Sequence, residues 1–130
     1  MRSVTVQWAG GKFTQDIAVG AHRIRADEET VNGGDDTGAA PHELLLAALG
    51  ACTAMTLKVY ADRKGWPLRN VHVELNGSTG ATGFDITRVV TFDGELDAEQ
   101  RQRLVEIADK CPVHKTLSGP ISIQTTAVAP

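Results

Sequence analysis

Pro41-His42-Glu43-Leu44-Leu45-Leu46-Ala47-Ala48-Leu49-Gly50-Ala51-Cys52 decides how this chain folds. Proline suits the first turn of a helix, where its missing N–H would have no partner, and Glu43 adds a negative charge where the helix dipole favours one. Good helix formers continue until Gly65 and Pro67 end the run, so a helix is expected from Pro41 onward. Leu44 to Cys52 is apolar or small on every face, which predicts that the first half of the helix is surrounded by protein. The charges Lys58, Asp62, Arg63 and Lys64 come only near its end, and its apolar part reads as too short for a membrane span.

Upstream, Val4, Val6 and Trp8 alternate with polar neighbours, as do Phe13, Ile17 and Val19 more loosely, with Gly10-Gly11 and Gly20 as turn signals. A third strand over Ala21 to Ala26 puts His22, Ile24 and Ala26 on one face and Arg23 with Arg25 on the other. Asp27 to Ala40, acidic and then glycine-rich, reads as a loop. Downstream, Leu68 to Leu75 and Phe84 to Phe92 form an expected hairpin around Gly77-Ser78-Thr79-Gly80. Asp97 with Gln100 resembles a capping box for a second helix, with Leu104, Ile107, Ala108 and Cys111 on one face. Pro112 cannot continue that helix and is expected to start a fresh helical turn over Val113 to Leu117. Ile121 to Val128 alternates and is expected to close the chain as a strand. Without regular βαβ alternation, the order predicts an α+β fold in a single domain, residues 1–130.

Composition narrows the function. At 130 residues with 42% hydrophobic content the chain can build a core, and 13 basic against 16 acidic residues leave a net charge of −3. No basic field invites nucleic acid. Met1 to Gly10 lacks the pattern of a signal peptide and no membrane association is expected, which points to a soluble cytoplasmic protein. Two cysteines are too few for a disulfide scaffold and, in that compartment, are not expected to form a permanent bridge.

Cys52 taken alone reads as a small apolar core residue, which free cysteine usually is. Cys111 precedes a proline-started helical turn whose unpaired N–H groups favour a thiolate. His114, three residues on, can serve as a base or cation near that sulfur, or simply as a capping group. Zinc would need a second ligand pair that the chain lacks, and neither a dinucleotide fingerprint nor a phosphate-binding glycine loop with its lysine is present, so no metal or cofactor is expected. Two cysteines, a carboxylate at a helix start and a pair of arginines suit thiol redox chemistry.

The run from Pro41 through Cys52 to Met55-Thr56, followed by Lys110-Cys111-Pro112-Val113-His114-Lys115-Thr116-Leu117, resembles the OsmC/Ohr family of cysteine-based peroxide reductases. The resemblance implies an intertwined homodimer in which antiparallel strands of both chains wrap long central cysteine-bearing helices. It implies that Cys52 attacks an organic hydroperoxide, that Cys111 resolves the product as a disulfide, and that a dithiol or lipoylated protein restores the thiols. It further implies an activating arginine, for which Arg23 and Arg25 are both counterparts, held by Glu43. The competing reading is a non-catalytic protein of the same fold that binds a small apolar ligand or senses redox state.

Overall fold

A computed structural model describes residues 1–129, and their contacts divide the chain into two compact units, Met1–Ala47 and the part from Ala48 onward. Strands β1 (Val4–Trp8), β2 (Gln15–Val19) and β3 (His22–Ala26) come first, followed by a 3-10 turn at Thr30–Asn32 and helix α1 (Pro41–Lys64). Strands β4 (Leu68–Gly80) and β5 (Gly83–Gly94) and helices α2 (Ala98–Ala108) and α3 (Pro112–Ser118) complete an α+β architecture with two antiparallel sheets.

In the first unit β1, β2 and β3 form the expected meander, with Ile17 opposite Ile24 and Asp16 opposite Arg25. The loop that leaves β3 is organised by Asp27, which is buried. Its carboxylate accepts from the hydroxyls of Thr37 and Thr14 and from the N–H groups of Glu28 at 2.8 Å and Thr37 at 3.0 Å. The Thr37 hydroxyl foremost, with those N–H groups and the Thr14 hydroxyl, outweighs burial and holds the Asp27 carboxyl well below its ordinary 3.8. A carboxyl whose native pKa lies below its unfolded one contributes stability that is present above 3.8 and is lost as pH falls beneath that value. Asp27→Asn should therefore lower the melting temperature most at neutral pH. The gap from wild type should narrow steadily in acid, as thermal melts across a pH series will show.

In the second unit, α1 and α2 pack on the β4–β5 hairpin. Leu57, Ala61, Leu68, Leu96, Leu104, Ile107 and Ala108 make the buried core, flanked by Tyr60, Trp66, Val71, Val90 and Phe92. The capping box forms as expected. The Gln100 N–H donates to Asp97 Oδ1 at 2.7 Å, and the Asp97 N–H donates to Gln100 Oε1 at 2.9 Å. The hairpin is longer than its alternation suggests, because Gly77–Gly80 pair with residues 83–86 and the turn falls at Ala81-Thr82. Gly94, at φ 138°, ends β5 where a Cβ would strike the Pro67 carbonyl oxygen, so only glycine fits.

Three expectations are corrected. First, the apolar start of α1 is not surrounded by protein within one chain: Leu49, Gly50, Thr53, Leu57 and Ala61 form a buried stripe, whereas Leu45, Ala47, Ala48 and Met55 are exposed. A single hairpin and one neighbouring helix cover only one side of a cylinder. Second, α1 is long and apolar enough to cross a membrane by length and composition, yet Leu57 and Ala61 are fully buried in a protein core. Third, Ile121 to Val128 forms no strand, and Ile121, Ile123 and Val128 are exposed. A strand exists only against another strand, and among the described residues of this chain none pairs with that segment.

Candidate functional site

The site is built where α1 meets the corner between α2 and α3. Cys52 lies on α1 beside the buried stripe and is half-buried. Gly50, two residues earlier, sits against Leu75 of β4 and lets the helix approach the hairpin closely. At the other side Cys111 is fully buried and caps α3, its sulfur accepting the His114 N–H at 3.3 Å. Pro112 makes this possible: it stops α2 from running on and restarts the chain as a short helix whose free His114 N–H reaches the Cys111 sulfur.

The two sulfurs are brought together. Burial pushes the Cys52 thiol up, but the Val113 N–H, the Cys111 thiol and the Thr56 hydroxyl all hydrogen-bond to it and carry it below its ordinary 9.0. Sulfur that receives N–H, S–H and O–H donors is stabilised as the thiolate, which is the reactive form. Cys52 opens onto a groove of about 600 Å³ lined by apolar Met55, Val59, Ile107 and Pro112 and by basic Arg63, Arg103 and Lys110. Trp66 lines a separate groove with Tyr60 and Arg103. The described residues contain no group of three or more histidine, cysteine or carboxylate side chains that could hold a metal.

The other residues singled out from the sequence belong to the first unit. Glu43 accepts the Ala40 N–H at 2.7 Å and so caps α1. Arg25 pairs across the sheet with Asp16 at 3.6 Å, both half-exposed, and Arg23 is exposed on the same face of β3. Among the described residues no ion pair joins Glu43 to either arginine.

One arginine was not anticipated. Arg88 of β5 keeps only 12% of its side chain exposed and donates to Thr53 Oγ1 at 3.0 Å, to Asp109 Oδ1 at 3.0 Å and to His114 Nδ1 at 3.1 Å. Thr53 in turn donates to the Leu49 carbonyl at 2.7 Å. The signal for it was in the alternation of β5, where Ile86, Arg88, Val90 and Phe92 share one face, since a charge on the apolar face of a strand must find partners inside the fold.

Comparison with known proteins agrees with this architecture. The family model described as OsmC-like protein matches residues 33–126. A search of curated protein sequences finds no match. Among solved structures, an OsmC-like protein from Mycoplasma pneumoniae superposes with a TM-score of 0.79 at 18% identity, covering 92% of this chain and 88% of that one. The organic hydroperoxide resistance protein OsmC of Legionella pneumophila gives 0.69 at 19% identity, with 92% and 90% covered. The organic hydroperoxide resistance protein OhrB of Bacillus subtilis gives 0.65 at 23% identity, with 92% and 91% covered. With a match over most of its length and the same fold as these proteins, the chain belongs to the OsmC-like family.

Proposed function

We propose that the protein is a thiol-dependent hydroperoxide reductase. The observation that carries this reading is the contact of Cys52 with Cys111, with the Cys52 thiol held below its ordinary value, at the wall of an apolar groove. In the first step the Cys52 thiolate attacks the outer oxygen of an organic hydroperoxide. The O–O bond breaks, the alkoxide takes a proton to leave as an alcohol, and Cys52 becomes a sulfenic acid. In the second step the Cys111 sulfur attacks the Cys52 sulfur, the S–O bond breaks, and water leaves as a disulfide forms. A dithiol, free or carried as a lipoyl group on a protein, then reduces that disulfide by two exchanges and is itself oxidised to a cyclic disulfide. The apolar side chains lining the groove favour an alkyl tail over hydrogen peroxide.

A homodimer completes the reading. The exposed leucine, methionine and valine side chains of α1 need a cover, and a second copy with the same apolar helix supplies one. In this reading Ile121 to Val128 gains a pairing edge in the same assembly, and Glu43 with Arg23 or Arg25 is assigned the activation of Cys52. A cytoplasmic location, where both cysteines stay reduced between turnovers, fits the cycle.

The test is direct. Purified protein with cumene hydroperoxide and an excess of dithiol should consume peroxide with saturation kinetics, and native mass spectrometry should show a dimer. Consumption no faster than with the Cys52→Ser protein would sink the reading and leave a non-catalytic binding or sensing role.

A further inference from the structure

We propose that Arg88 is a positioning residue for disulfide formation: its guanidinium clamps the segment that carries Cys111 against the helix that carries Cys52. The inference rests on the hydroperoxide reductase reading and deepens it. A resolving cysteine that is fully buried, as Cys111 is, cannot search for its partner, so the elements on either side must hold the two sulfurs in register.

Arg88 is placed to do this. On one side it holds Thr53, the residue after Cys52 in α1. On the other it holds Asp109 and His114, which bracket Cys111 two residues before and three residues after. A planar guanidinium presents several donors in a fixed geometry, so it can span three partners where an ammonium acts as a single point. Arginine has no acceptor, so in this contact the guanidinium donates and His114 Nδ1 accepts.

His114 is thereby the link between the clamp and the sulfur. Its ring takes the Arg88 bond while its own N–H donates to Cys111 Sγ, so a turn of α3 that broke the first contact would disturb the second. Asp109 lies 3.9 Å from the same imidazole nitrogen and shares the guanidinium, which closes the group into one network. Arg88 touches neither the groove nor, by any hydrogen bond among the described residues, the Cys52 sulfur. Its effect is thus expected chiefly on resolution, and on the attack on peroxide only through the Val113 and Cys111 donors of the clamped segment.

The test compares Arg88→Met, which keeps an apolar stem and removes every donor, with Arg88→Lys and with Arg101→Met. Arg101 braces the Leu96 and Gly94 carbonyls of the same unit and controls for a simple loss of stability. Two redox measurements are made on each protein, and the rate of Cys52 alkylation is taken beside them. In a buffer of reduced and oxidised dithiol, without peroxide, the fraction of Cys52–Cys111 disulfide gives the closeness of the thiols. After one equivalent of cumene hydroperoxide and then excess, mass spectrometry gives the ratio of disulfide to Cys52 sulfinic acid.

Arg88→Met is expected to lower the disulfide equilibrium and to shift the ratio toward sulfinic acid by about tenfold or more, the scale on which a small displacement of reacting groups is felt. The rate of Cys52 alkylation should fall by less than the disulfide ratio shifts, because the Val113 and Cys111 donors ride on the clamped segment while the Thr56 donor sits on α1 with Cys52 itself. Arg88→Lys should fall between, and Arg101→Met should match wild type in both ratios. If Arg88→Met does not fold, the same shift in Arg88→Lys supports the clamp and its absence overturns it. Disulfide formation in Arg88→Met equal to wild type overturns the proposal alone. Failure of wild type to form the disulfide under either condition overturns it together with the reading it rests on.

Discussion

Replacing Cys52 by serine is expected to reduce peroxide consumption to background, a loss of roughly 10³-fold or more, because a hydroxyl is not an equivalent nucleophile to a thiolate. Cys111→Ser should behave differently. With the nucleophile intact and the resolving sulfur gone, the protein should consume about one equivalent of peroxide per chain and then stall, or continue slowly if the external dithiol reaches the sulfenic acid directly. The structure makes this contrast sharp, since Cys52 is half-buried on the wall of a groove whereas Cys111 is wholly buried beneath the start of α3. Mass spectrometry on the stalled protein should find oxidation at Cys52. Oxidation found first at Cys111 in the wild-type chain would reverse the roles.

The largest stability effect is expected for Leu57→Ala. Leu57 is fully buried, packs in the core of the second unit and lies on the stripe of α1 that also carries Leu49 and Thr53. Truncation removes buried apolar area and leaves a cavity that α2 and the hairpin cannot fill, at a cost of about 2 to 5 kcal/mol. The melting temperature should fall by on the order of 10 °C at fixed protein concentration, which must be held because association shifts apparent stability. Met55→Ala, on the exposed side of the same helix, should instead leave the melting temperature of the isolated chain nearly unchanged. In a dimer that buries Met55 the two substitutions would converge, so the comparison at low and high concentration also reads the assembly.

The sequence by itself determined the elements whose signals are local. The span of α1 followed from Pro41 at one end and Gly65 with Pro67 at the other. The start of α2 followed from the reciprocal bonds of Asp97 and Gln100, and the α3 restart from Pro112 after Cys111. Each of these is decided by hydrogen bonds or steric conflicts within about four residues, which a linear reading can see. Half of the candidate site was legible in the same way, because Cys111 and His114 sit on one short turn. The rest depended on the fold. Arg88 meets its partners Thr53, Asp109 and His114 across 35, 21 and 26 residues of chain, so only the packing of β5 against α1 and the α2–α3 corner brings them together. The contact of Cys52 with Cys111 has the same origin. The expected strand at Ile121 to Val128 and the expected burial of the first half of α1 were misjudged for one reason. Alternation and apolarity state which face a segment would bury, and tertiary structure alone decides whether a surface is there to bury it.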